Sequence, residues 1–177
     1  MKRTILSIML VTITLFGCAG NNKSDNANAS STPTGQTTSV NEEEIEAPDF
    51  TLDDINGNPL TLSSLRGKYV ILDFWGSWCG WCIKGFPQMK EYYQKYSGKF
   101  EILGIDCNDT KARWKAAVEY YELPWLHVYC PRRSQIFTDY AIEGFPTKVI
   151  IDPKGNIVDI IIGEDPAFYT LLDQLFK

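Results

Sequence analysis

Cys79 and Cys82, in Trp75-Gly76-Ser77-Trp78-Cys79-Gly80-Trp81-Cys82, are two cysteines whose spacing could do redox chemistry. Residues at this interval share a helix face, so their sulfurs can close a small ring and reopen it with little backbone movement. The motif follows the apolar run Tyr69 to Phe74 and precedes a stretch of helical composition, which predicts a strand-to-helix corner. The first N–H groups of a helix lack partners inside it, and Cys79 meets that positive end. Cys79 is therefore expected to be the more acidic sulfur, outermost and open to collision, with Cys82 waiting beneath it. The same spacing also serves as half of a zinc site or as an inert structural disulfide. Zinc would need two more ligands, and the chain offers one histidine and three other cysteines, none in a second such motif.

Asp73 is the second candidate. It interrupts an apolar strand just before the cysteines, where a carboxylate buried without a full partner has a raised pKa and can move protons. The alternative is a strand-end aspartate that reaches solvent. Trp78 and Trp81 flank the cysteines and either form an apolar rim for partner side chains or pack on the fold. His127, the only histidine, falls in an apolar strand and reads as a core residue.

These residues need a scaffold, and the chain is long enough for one. Its 177 residues, 44% of them apolar, can bury a single ordinary core, and a net charge of −5 removes the electrostatic footprint that nucleic-acid binding requires. Lys2 and Arg3 followed by the apolar residues 5–17 form an export leader too short for a comfortable membrane span. Residues 18–46 begin with Cys18 and continue through Asn, Ser, Thr, Gly and Pro into a glutamate-rich collar, the composition of a flexible tether. The folded domain is expected over 47–177.

Within it, Ala47–Leu62 around Asn56-Gly57 reads as a hairpin. A helix after Cys82 should be kinked by Pro87. A strand over 99–106, a helix over 110–121, a strand over 124–129, a short helix over 134–142, strands over 148–151 and 157–162 and a closing amphipathic helix over 166–176 follow. Strands alternating with helices imply an α/β fold with parallel pairing.

The run Phe74 to Cys82, with Ala47-Pro48-Asp49-Phe50 before it and Gly144-Phe145-Pro146-Thr147 after it, resembles the thioredoxin superfamily and, within it, membrane-anchored TlpA/ResA-type thiol-disulfide oxidoreductases. The likeness spans residues 47–177. It implies a three-layer thioredoxin-like fold with a central mixed sheet, an N-terminal β-hairpin and an inserted helix-strand unit. It also implies an enzyme that needs no metal or organic cofactor, because the electrons reside in the sulfur pair. Its partners would be protein or peptide thiols and disulfides, together with a membrane-embedded or periplasmic redox partner that recharges it. A reducing role toward exported proteins, as a monomer, goes with the family.

The resemblance also assigns residues. Asp73 would help deprotonate Cys82, and the Phe145–Pro146 bond would be cis, turning the Phe145 backbone outward to pair with an extended substrate; an ordinary trans proline is the alternative. Gly163 stands where these folds keep a glycine beside the sulfurs, although a plain strand-end glycine fits as well. Leu15-Phe16-Gly17-Cys18-Ala19 resembles a bacterial lipoprotein cleavage box, which would make Cys18 the lipidated residue facing the periplasm, with outer-membrane sorting favoured by Ala19. Uncleaved anchoring or ordinary secretion are the other outcomes. If the inserted strand packs as in related folds, Cys107 and Cys130 end neighbouring strands, and either a second disulfide or two separate thiols result.

Two departures stand out. Trp81 and Gly85 occupy places where this family often has proline and glutamate, which leaves substrate choice and redox poise open. A peroxidase of the peroxiredoxin type shares the start of the domain, but Gly76 stands where those enzymes have threonine. A non-catalytic binding or assembly lipoprotein on the same fold is the third reading.

Overall fold

The computed structural model describes residues 44–177, so the leader, Cys18 and residues 18–43 of the expected tether lie outside the described residues. Seven strands and four helices follow in the order β1 (Thr51–Asp54), β2 (Pro59–Thr61), β3 (Tyr69–Trp75), α1 (Gly80–Lys95), β4 (Phe100–Cys107), α2 (Lys111–Tyr120), β5 (Leu126–Cys130), α3 (Ile136–Asp139), β6 (Thr147–Ile151), β7 (Ile157–Ile162) and α4 (Pro166–Phe176). They build one sheet in the order β2-β1-β5-β4-β3-β6-β7. β3, β4 and β5 run parallel, whereas β1, β6 and β7 join antiparallel. The α2–β5 unit inserts a strand between β4 and the N-terminal hairpin.

β3 is central because it is apolar on both faces. Alternation sends Ile71, Asp73 and Trp75 to one side and Val70, Leu72 and Phe74 to the other. On the first side, Ile71 and Trp75 join Phe86 and Met89 of α1, Trp114 of α2, and Phe168 and Leu172 of α4. On the second, Leu72 and Phe74 meet Leu103, Val128, Ile136 and Tyr140. Ile71 has no exposed surface. Ile71→Val is therefore expected to lower the urea midpoint by the equivalent of about 1 kcal/mol, and an unchanged midpoint would show that the site repacks freely.

Several boundaries differ from the sequence reading for local reasons. The domain starts before Ala47: Ile45 accepts from the Ile157 amide at 2.8 Å, Ala47 donates to Gly155 at 2.9 Å, and Glu46 bridges Asn156. The end of the expected tether is thus hydrogen-bonded to the domain. β5 begins at Leu126 rather than Pro124, since proline has no N–H for the ladder. α3 spans only Ile136–Asp139 because Ala141 takes a left-handed φ of +48° that ends it. α1 runs unbroken through Pro87.

Candidate active site

α1 starts on the cysteines. Cys79 is its N-cap, and its sulfur accepts from the Cys82 amide at 3.2 Å, satisfying one of the helix's free donors. Cys79 and Cys82 are joined as a disulfide with their Cα atoms 5.3 Å apart. The outer sulfur is less open than expected: Cys79 is 6% exposed and Cys82 2%. The order of burial is as anticipated, but the openness is not. The cause is the packing of α1, which brings both cysteines into the core cluster that holds Trp75 and Phe86. Ser77, just before them, donates its amide to the buried Asp109 carboxylate at 3.0 Å, so the β4–α2 connection props the redox loop. Sequence reading missed Asp109.

Pro146 immediately precedes β6, whose first residue Thr147 pairs with Phe74 of β3. The Phe145–Pro146 bond is cis, and the Pro146 carbonyl accepts from the Gly163 amide at 2.7 Å. Gly163 has φ +85°, with open space where a Cβ would lie, so its backbone conformation already accounts for the glycine. The two tryptophans differ in exposure and in their contacts. Trp78 donates its indole N–H to the Cys107 carbonyl at 3.0 Å and stands edge-on to Phe145 with centroids 5.2 Å apart, so it is tied to the fold while 44% exposed. Trp81 is 63% exposed and carries the Lys84 ammonium 4.3 Å above its ring.

Asp73 does not reach solvent; it is 1% exposed on the α1 side of the sheet. Its strand partner on β6 is Lys148, also 1% exposed, whose Nζ lies 3.9 Å from Asp73 Oδ1. That separation exceeds a hydrogen bond, and Asp73 Oδ1 has no hydrogen-bond partner among the described residues. Desolvation pushes the Asp73 carboxyl up to about 6; the Lys148 charge opposes the rise and the Glu164 charge adds to it. Glu164, between β7 and α4, binds Lys148 at 3.0 Å through Oε2 and accepts from the Tyr169 hydroxyl at 2.8 Å through Oε1. The Glu164 carboxylate also fills the space where a side chain at Gly85 of α1 would point.

Lys148 and Glu164 escaped the sequence reading. A lysine inside an apolar strand was the available signal, but it becomes meaningful only once β6 is laid beside β3.

Cys107 and Cys130 are directly opposite on parallel β4 and β5, and both are buried free thiols, not a second disulfide. Each thiol donates to a nearby carbonyl, Cys107 to Ile105 at 3.3 Å and Cys130 to Pro131 at 3.7 Å. They sit in the cluster on the other side of the sheet from the redox pair. His127 is a core residue at 5% exposure, and burial lowers it to about 4. Among the described residues no three His, Cys, Asp or Glu side chains gather as a metal set.

A chain with these features has many relatives. The AhpC/TSA family model matches residues 44–160. The thiol-disulfide oxidoreductase ResA of Bacillus cereus is 39% identical over 120 residues, 67% of this chain and 69% of that one. ResA of Bacillus subtilis is 34% identical over 119 residues, 67% of this chain and 66% of that one. Among solved structures, the thioredoxin domain of a thiol-disulfide oxidoreductase from Bacteroides vulgatus superposes with a TM-score of 0.66 at 31% identity, covering 73% of this chain and 95% of that one. A thiol-disulfide oxidoreductase from Bacteroides fragilis gives 0.67 at 29% identity, covering 73% and 98%.

Proposed function

Because this chain belongs to the AhpC/TSA family and is a thiol-disulfide oxidoreductase, we propose that it works outside the cytoplasm, held to a membrane through Cys18, as a reductant of disulfides in exported proteins. The observation that carries the chemistry is the Cys79–Cys82 pair at the start of α1, with Phe145 of the cis Phe145–Pro146 bond packed on the neighbouring Trp78. In its reduced form, the Cys79 thiolate attacks a substrate disulfide; one substrate sulfur joins Cys79 and the other leaves with the electron pair. Cys82, losing its proton to Asp73, then attacks Cys79 and releases the second substrate sulfur as thiolate. The pair ends oxidised and the substrate reduced by two electrons.

The substrate surface in this reading is Trp78, Trp81, Phe145, Pro146 and Gly163. A cleft of about 460 Å³ lined by Arg133, Phe137, Ile142 and Phe145 extends it away from the sulfurs and suits an extended peptide. Trp81→Ala is expected to raise KM for a peptide disulfide by about threefold to tenfold with kcat unchanged, as loss of an exposed aromatic anchor does. An unchanged KM would remove Trp81 from that surface.

The lipoprotein leader, the tether and the family likeness support the location and direction. A Cys82→Ser variant expressed in cells should accumulate mixed disulfides with exported proteins, and Cys18→Ala should abolish fatty-acid labelling. A reduction potential near or below about −220 mV fits a reductant, whereas one near the value of about −120 mV found in strong oxidants reverses the direction. A peroxidase reading finds no support at Gly76: a Cβ there would press on the Trp78 indole and lie 2.9 Å from the Cys107 carbonyl, leaving no room for threonine.

A further inference from the structure

A buried lysine is costly unless its charge is matched, and Lys148 is matched twice, by carboxylates from two different elements. Of the two, Glu164 holds it closely at 3.0 Å and Asp73 loosely at 3.9 Å. Glu164 is itself fixed, by the Tyr169 hydroxyl on one oxygen and by the bare Cα of Gly85 against its carboxylate. The arrangement draws Lys148 off Asp73 and leaves an Asp73 oxygen without a partner on the face that carries α1 and the sulfurs. Resting on the oxidoreductase reading, we infer that Lys148 and Glu164 are positioning residues for the proton that Asp73 takes from Cys82, one ammonium shared so that Asp73 can both accept and release it.

The two partners act on Asp73 in opposite senses. Lys148 favours the charged carboxylate, and Glu164 disfavours it, directly as a like charge and indirectly by holding the lysine. The other groups around Asp73 set no comparable bias. Tyr169 of α4 is already engaged by Glu164, and burial and that carboxylate push its phenol up. Gly104, the β4 partner of Asp73, brings no side chain, and beyond it His127 of β5 is held neutral by burial near neutral pH. Cys107 of β4 belongs to the cluster on the opposite face. On this face α1 brings Cys82, the proton's source, together with Tyr92 and Tyr93, whose hydroxyls donate to Asp173 at 3.3 Å and Glu101 at 2.8 Å, and β4 brings the buried Asp106 beside Trp75, whose carboxyl burial pushes up to about 8.

In the resolving step, Cys82–SH gives its proton to the Asp73 carboxylate. The Cys82 thiolate attacks Cys79 Sγ, the Cys79–substrate bond breaks, and the leaving thiolate takes its electron pair and later a proton from water. Asp73 then returns its proton to solvent.

The test uses the full chain in its reduced form, with glutathione disulfide as the probe. The Asp73 carboxyl is titrated by carbon-13 NMR, and the second phase of glutathione release is followed by stopped flow across pH. Lys148→Met is expected to raise the Asp73 midpoint by about one pH unit or more and Glu164→Gln to lower it by a similar amount. Gly85→Ala removes no charge but displaces the Glu164 carboxylate, a flexible end that can give way, and is expected to follow Glu164→Gln. The midpoint of glutathione release should move with the carboxyl in each variant. Shifts in one common direction, no shifts, or a release profile that ignores the carboxyl would each overturn the inference. The titration is read without turnover, so wild-type protein that fails to release glutathione would count against the oxidoreductase reading and not against the shared lysine.

Discussion

Cys79→Ser is expected to lower disulfide-exchange turnover by at least about a thousandfold, the scale on which loss of a covalent nucleophile is felt. Cys79 caps α1, and its sulfur accepts the Cys82 amide at 3.2 Å. Negative charge on that atom is stabilised by the amide and by the helix dipole, which favours thiolate over thiol. A serine hydroxyl is a good cap but does not ionise near neutral pH, so the variant should keep the start of its helix while losing its chemistry. Far-ultraviolet circular dichroism and a urea midpoint like that of the reduced wild type would confirm the first half. Turnover of a peptide disulfide with dithiothreitol as electron source measures the second. Activity above about a tenth of wild type would move the attacking role to Cys82, the sulfur that is only 2% exposed.

Asp73→Asn should do two things at once: slow the release of substrate from the mixed disulfide by about 10²-fold to 10⁴-fold, and make the protein more stable at pH 7. The stability sign follows from proton linkage. Burial lifts the Asp73 pKa from 3.8 to about 6, so between those values the folded chain keeps a proton that the unfolded chain has lost. Stability therefore falls as pH rises through that window and stays lower above it. Asparagine carries no such penalty, and Lys148 keeps Glu164 at 3.0 Å, so no charge is left unpaired. The gain at pH 7 is on the order of 3 kcal/mol and should vanish below about pH 4. Urea denaturation of the oxidised forms at the two pH values reads it. Equal stabilities at both would mean that Asp73 is not the titrating group, and unimpaired release would remove it from the proton step. A carboxylate kept at a cost to stability is the trade expected where a buried group does chemistry.

Much of this molecule is local and therefore legible in the order of residues. The apolar run of β3, the cysteines at the helix start, the Asn56-Gly57 turn and the amphipathic α4 each follow from periodicity, capping or turn chemistry within a few residues. β7 and α4 match the expected limits, 157–162 and 166–176. The cis bond before Pro146 was an expectation of family likeness rather than of physics, and the structure has it.

The rest depended on which distant segments meet. Nothing near Asp73 in the chain announces Lys148; antiparallel registration of β6 on β3 brings them together in the dry interior. Gly85 reads as the loss of a helix carboxylate until the turn after β7 delivers Glu164 into the vacated space. Cys107 and Cys130 end as strand partners, yet parallel neighbours hold two thiols without joining them. The sequence by itself determined the elements, the sulfur pair and the kind of reaction. Only the tertiary structure decided how deeply Cys79 is set and which charges face Asp73, because both arise from packing between segments far apart in the chain.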